Sequence, residues 1–80
     1  MAQKKDQSQR AKEVGNCVAT LREAMYVFPH LRVGQTISNA VTTFRLNHPE
    51  LWNTDDIYNM PDDLLALAVR EYMGNFGKTT

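Results

Sequence analysis

Three prolines divide this chain into stretches that each carry apolar residues at helical spacing. Pro29 and Pro49 disfavour helical conformation in the residue before them, so that a helix is expected to end ahead of each one. Pro61 precedes a third apolar run and suits the first position of a helix. The chain is therefore predicted to be all-α, a compact three-helix bundle with an ordered apolar loop between its second and third helices.

The first helix is predicted over residues 9–28, where apolar residues recur at spacings of three and four. This stripe consists of Val14, Val18, Leu21, Met25 and Phe28, with Ala11 and Cys17 on or beside it. The same spacing covers about two heptads. Residues 11–28 would therefore also allow a homodimer through a short coiled coil.

The second helix is predicted over residues 32–47 and the third from Pro61 to Gly74, which is expected to end it in a left-handed turn. Asp62 and Asp63 complement the helix dipole in the first turn of the third helix. The predicted apolar stripes are Val33, Ile37, Ala40, Val41 and Phe44, then Leu64, Leu65, Ala68, Val69 and Tyr72. Residues 9–74 thus form one domain, between a disordered tail at 1–8 and a flexible tail at 75–80.

Residues 48–60 have the polar composition of a loop but carry too many apolar side chains to leave in water. These are Leu51, Trp52, Ile57, Tyr58 and Met60. Two alternatives stay open for Trp52 and Tyr58. They either fold back to cover the second helix or form part of an exposed binding surface.

Small and amide side chains within the second helix indicate a specialised packing site. Gly34 and Ser38 lie one turn apart and would let a neighbouring segment approach closely. Gln35 and Asn39 lie one turn apart on another face, where their amides can donate and accept hydrogen bonds. We expect both amides to bind the backbone of residues 48–60.

The residues of this region resemble those of a group of short bacterial and phage proteins of unknown function. The similarity covers residues 29–67. It rests on a Leu-Arg-x-Gly-Gln-x-Ile-x-Asn core at residues 31–39, followed by Asp56-Ile57-Tyr58 and Asp62-Asp63-Leu64-Leu65. The chain departs from the group in the longer stretch between Asn39 and Tyr58 and at residues 59–61. The resemblance implies a small accessory protein, often encoded on phage or mobile DNA.

Composition and motifs argue against several classes of function. The formal net charge is zero, which argues against a protein that wraps nucleic acid. No apolar run approaches the roughly 18 residues of a membrane span. Cys17 is the single cysteine, which rules out an intramolecular disulfide and paired-cysteine zinc sites. His30 and His48 lack helical metal-binding spacing. No cofactor, metal site or enzymatic activity is predicted, and a cytoplasmic location is expected.

Binding to a protein partner, either from the host or a second copy, is the predicted function. Aromatic and acidic side chains would form the surface, since tryptophan and tyrosine are typical interface anchors. The predicted binding residues are Trp52, Tyr58, Asp55, Asp56 and Arg32. The alternative is a DNA-binding regulator whose second helix reads bases through Arg32, Gln35, Thr36, Asn39, Thr43 and Arg45.

Overall fold

A computed structural model describes residues 7–54 and 56–77 of the chain. Within these residues the chain forms three α-helices and one 3-10 turn, Ile57–Asn59. The helices are α1 (Gln7–Val27), α2 (Val33–Asn47) and α3 (Asp62–Phe76). This confirms the predicted all-α three-helix bundle. The predicted tails overlap the ends of α1 and α3, and residues 1–6 and 78–80 of these tails lie outside the described part.

Helix α3 packs along both α1 and α2, whereas α1 contacts α2 much less. Contacts near the starts, middles and ends of α1 and α3 pair residues in ascending order, so these two helices run in the same direction. The contacts join Arg10 to Asp62 at 3.5 Å, Asn16 to Arg70 at 2.8 Å, and Val27 to Gly77.

Alanines line the contacts between the three helices. Their exposed fraction is at most 1%, and they are Ala24 on α1, Ala40 on α2, and Ala66 and Ala68 on α3. Phe44, Val41 and Val69 fill the space between the helices and are also fully buried. Because alanine adds little bulk, the helix axes can approach closely and the larger side chains complete a thin core.

The apolar stripe predicted for α1 is only partly buried. Cys17, Ala24 and Phe28 face the core, but Val14 is 38% exposed and Val18 is 56% exposed. The physical reason is that α3 covers one side of α1 while α2 covers little of the other. The predicted burial of Val14 and Val18 is therefore wrong, and so is that of Val33, which is 49% exposed.

The end of α3 also differs from the prediction. Gly74 lies inside the helix, which continues to Phe76 and is capped by Gly77 at a φ of −89°. No described glycine has a positive φ. Gly77 is required for another reason: a Cβ at this position would meet Cγ1 of Val27 at 2.5 Å. Gly77 therefore permits a close contact between α3 and Val27 of α1.

Replacing each of these two glycines by alanine should have opposite effects. A Cβ at Gly74 would meet no atom within 4 Å, so Gly74→Ala should stabilise the fold by up to about 1 kcal/mol through helix propensity. Gly77→Ala should destabilise it, because Val27 must move. Urea unfolding measures both free energies. A left-handed Gly74 would reverse the first result.

Candidate protein-binding surface

The segment between α2 and α3 is anchored to the core by Trp52. Its backbone leaves α2 in a turn in which the amides of Leu51 and Trp52 donate to the carbonyl of His48, at 2.9 and 3.1 Å. The Trp52 ring is half-buried and packs against the hydrophobic core. Trp52 therefore covers the core, which is the first of the two predicted alternatives. It is not an exposed anchor.

Tyr58 follows the second alternative, exposure to solvent, and is 94% exposed. It occupies the middle of the 3-10 turn, between Ile57 and Met60, which both pack against the core. A 3-10 helix has three residues per turn, so residues 57 and 60 share one face and residue 58 points elsewhere. Asn59 fixes the turn by donating from its amide to Asp56 at 2.7 Å. Tyr58 is thus presented to solvent by a turn anchored on both sides.

Two leucines near Tyr58 in sequence are also exposed. Leu46, in the last turn of α2, is 72% exposed and Leu51 is 49% exposed. Two exposed carboxylates, Glu50 and Asp56, accompany them. The exposed residues from the last turn of α2 to the 3-10 turn that carry apolar or acidic side chains are called the connection surface below: Leu46, Glu50, Leu51, Asp56 and Tyr58. The predicted binding residue Asp55 lies outside the described residues.

His48 joins the start of this segment to α3. Its Nε2 lies 2.9 Å from a carboxylate oxygen of Glu71, and its Nδ1 lies 3.7 Å from Glu50. Its ring also contacts the Phe44 ring, with centroids 4.8 Å apart. This role of His48 was not predicted from the sequence, because no spacing rule relates His48 to Glu71 on another helix.

Arg32 and Gln35 together form the start of α2. The backbone amide of Arg32 donates to Oε1 of Gln35 at 2.8 Å, which is one half of a capping box. Leu31, just before them, packs against the core. Arg32 is exposed but lies at the opposite end of α2 from Leu46, about 21 Å away along the helix axis. It is therefore not part of the connection surface.

Asn39 connects α2 to α3. Its amide donates to the hydroxyl of Tyr72 at 3.1 Å. Gln35 caps its own helix and Asn39 binds Tyr72. The hydrogen bonds that we expected from these two amides to the backbone of residues 48–60 are therefore not formed. Both amides form hydrogen bonds, as predicted, but their partners lie outside residues 48–60.

A shallow groove lies beside the Asn39–Tyr72 hydrogen bond. It has a volume of about 290 Å³ and is lined by Asn39, Thr42, Thr43, Tyr72 and Phe76. The Tyr72 ring lies 4.9 Å from that of Phe28 and 5.1 Å from that of Phe76, measured between centroids. Small-molecule sites usually occupy about 300–1,000 Å³ in deeper cavities.

The small residues of α2 do not form the packing site that we predicted. Gly34 is exposed, and a Cβ there would meet no atom within 4 Å. Ser38 is exposed as well. The buried small residue of α2 is Ala40, at 0% exposed, so the prediction for Gly34 was wrong.

The residues of α2 proposed to read DNA differ in their exposure and in their hydrogen bonds. Thr36 is completely buried, and its hydroxyl has no hydrogen-bond partner among the described residues. Gln35 and Asn39 already have partners within the protein. Base reading requires side chains that reach outward from one helix face. Thr36 therefore does not meet this requirement, and Gln35 and Asn39 would have to leave their partners within the protein.

Removing the buried hydroxyl of Thr36 should stabilise the protein. Thr36→Val replaces an unsatisfied polar atom by a methyl group, with an expected gain of about 1 kcal/mol in the free energy of unfolding. Thr20 is the matched control, because it is 4% exposed but its hydroxyl donates to the carbonyl of Asn16 at 2.8 Å. Thr20→Val should give no gain. Equal changes in the free energy of unfolding for Thr36→Val and Thr20→Val would contradict the difference in hydrogen bonding between the two hydroxyls.

The side chains considered for chemistry are dispersed. Cys17 faces the core, His30 is exposed, and His48 is bound to carboxylates. Asp62 pairs with Arg10, and Asp63 accepts a hydrogen bond from the amide of Leu64. Within the described part of the chain, no group of three or more potential metal ligands lies together. No helix in that part is long and apolar enough to cross a membrane.

Burial raises the pKa of the Cys17 thiol, the carboxylate of Asp62 raises it further, and Arg70 lowers it. In the unfolded chain the thiol loses its proton near pH 8.5, roughly. Because the folded state holds the proton more tightly, the free energy of unfolding should fall as pH rises above about 8.5. Urea unfolding at several pH values between about 7 and about 10 measures this decrease in the free energy of unfolding.

Cys17→Ala is the control, and it should lose this part of the pH dependence. The native thiol should also react slowly with a disulfide reagent, and the denatured thiol quickly. Fast reaction of the native protein at neutral pH would contradict the burial of Cys17.

No known protein family, curated protein or solved structure was found to match this chain. The resemblance to short bacterial and phage proteins therefore stays a prediction.

Proposed function

We propose that this chain is a small, non-enzymatic accessory protein that binds a protein partner through the connection surface. The observation that carries the proposal is the exposure of Tyr58, at 94%, on a turn whose neighbours Ile57 and Met60 are anchored in the core. Tyrosine is among the residues that contribute most to the free energy of protein–protein binding. Leu46 and Leu51 supply further exposed apolar area.

The rigidity of the turn supports this proposal. Ordering a flexible side chain or loop reduces the free energy gained on binding. Here the backbone amide of Met60 donates to the carbonyl of Ile57 at 3.1 Å, and Asn59 binds Asp56. The backbone beside Tyr58 is already ordered before a partner arrives, so less entropy is lost.

The charges indicate the kind of partner. Glu50 and Asp56 are exposed within the connection surface, which contains no basic residue. A partner with a complementary surface would present apolar side chains flanked by lysine or arginine, since opposite potentials favour association. Arg32 lies away from this surface and stays a separate prediction.

DNA binding through α2 is less well supported. Thr36 is buried, Gln35 and Asn39 are engaged, and the formal net charge is zero. Phosphate binding needs an excess of basic side chains on one face. A cytoplasmic location and an origin on phage or mobile DNA remain predictions from the sequence.

Two exposed tyrosines on different elements allow a matched test. Tyr58→Ala should weaken binding of the physiological partner by about 30-fold, the loss expected for a 2 kcal/mol anchor. Tyr26→Ala on α1 is the control, because Tyr26 is also highly exposed, at 80%, but lies outside the connection surface. Affinity capture from host cells, with quantitative mass spectrometry of all three baits, gives the comparison.

The proposal is supported if a protein is recovered with the unchanged chain and with Tyr26→Ala but is lost with Tyr58→Ala. Circular dichroism must show that all three baits are equally helical. Recovery of the same proteins at the same level with all three baits would refute a role for Tyr58. Retention on DNA that decreases steeply with salt would favour the alternative function.

A further inference from the structure

His48 has a carboxylate beside each of its two ring nitrogens. Its Nε2 lies 2.9 Å from Oε1 of Glu71 on α3, and its Nδ1 lies 3.7 Å from Oε2 of Glu50. An ionised carboxylate accepts hydrogen bonds but donates none. A neutral imidazole carries a hydrogen on one nitrogen, whereas the protonated ring carries one on each. The arrangement therefore suits the protonated ring at both nitrogens and the neutral ring at only one.

The charges around His48 attract a positive charge on its ring. Helix α3 contributes Glu71 and the segment after α2 contributes Glu50, and these are the ion pairs of His48 within the described residues. The last turn of α2 contributes Arg45 and the uncharged ring of Phe44. With two carboxylates and one guanidinium, the surroundings of a neutral His48 are net negative. Protonation of the ring lowers the electrostatic energy of this cluster.

Trp52 is attached to His48 through the backbone, and its burial is opposed by its own N–H group. The amide of Trp52 donates to the carbonyl of His48 at 3.1 Å, and the ring is half-buried against the core. The indole N–H is buried without a hydrogen-bond partner among the described residues. A buried polar group without a partner costs free energy, and water would supply the partner if the ring moved outward. The ring therefore depends on the other contacts of its segment to stay in place.

We infer that His48 is a pH-sensitive latch for the segment that follows α2. The protonated ring holds the start of this segment to α3 through Glu71 and to Glu50, and it keeps Trp52 against the core. Loss of the proton ends the contact with Glu50 and weakens that with Glu71, so that Trp52 is exposed in a larger fraction of the molecules. Histidine is the side chain that ordinarily changes its charge between about pH 5 and about pH 8.

The latch has a consequence for the connection surface, and this consequence rests on the proposed function. Glu50 and Leu51 lie between His48 and Trp52, so opening of the latch would move them relative to Tyr58 on its own anchored turn. Loss of the proton also removes a positive charge beside Glu50 and makes the surface more negative. The latch itself does not require a partner and can be tested on the isolated chain.

Fluorescence of Trp52 tests the latch, because it is the single tryptophan of the chain. The measurement is the quenching of its fluorescence lifetime by acrylamide at several pH values from about 5 to about 8. We expect quenching to increase with pH and the emission to shift to longer wavelength. Circular dichroism should stay constant over this range, because the segment opens and the helices do not.

Substitution of His48 separates the latch from other effects of pH. The amide of Gln in His48→Gln can donate to Glu71 but takes up no proton in this range, so the change in quenching with pH should be lost. His30→Gln is the matched control, because His30 is the other histidine of the chain and is exposed. It should keep the full change. Glu71→Gln should reduce the change, since a neutral amide attracts the charged ring less than a carboxylate does.

The inference is supported if the unchanged chain and His30→Gln respond to pH and His48→Gln does not. It is overturned if the accessibility of Trp52 is independent of pH, or if His48→Gln responds as the unchanged chain does. A helical signal that decreases together with the burial of Trp52 would also overturn it, because the whole fold would then be opening. Any of these failures leaves the proposed function intact. Equal capture with the Tyr58→Ala bait would refute that function and leave the latch intact.

Discussion

The burial of alanine on all three helices is the constraint on which this structure depends. Ala24, Ala40 and Ala68 are at most 1% exposed and lie one on each helix. A chain of 80 residues has little apolar surface to bury, and small domains gain correspondingly little stability from it. With alanine at these positions, a few larger side chains, chiefly Phe44 and Val69, are enough to fill the space between the helices. The same economy leaves other apolar residues outside.

The connection between α2 and α3 shows how that core also positions a candidate site. Trp52, Ile57 and Met60 pack against the helices, and this anchoring turns Tyr58 outward. His48 fixes the start of the segment through Glu71. A loop without such anchors would lose more entropy on binding. The proposed binding surface is therefore a consequence of how the loop contributes to the core.

The elements of the fold were predicted from local chemistry with good accuracy, and the site only in part. Proline positions and apolar spacing place all three helices to within about two residues. The composition of residues 48–60 indicated an ordered segment, but it could not say which aromatic would be buried. Trp52 and Tyr58 differ in the structure because only the first lies where it can reach the core. Gln35 and Asn39 were rightly expected to form hydrogen bonds. The partner of Gln35 lies in a local capping box, whereas no local rule identifies Tyr72 of α3 as the partner of Asn39.

The sequence by itself determined the helices, their order and the anchored loop between the last two, because these follow from interactions between residues close in the chain. Tertiary structure alone decided that α3 and not α2 covers most of α1, which leaves Val14 and Val18 exposed. It also decided that Gly77, rather than Gly34, permits a close contact. Such outcomes depend on which helix faces lie together in space, and helical periodicity gives each helix a buried side without naming the neighbour that buries it.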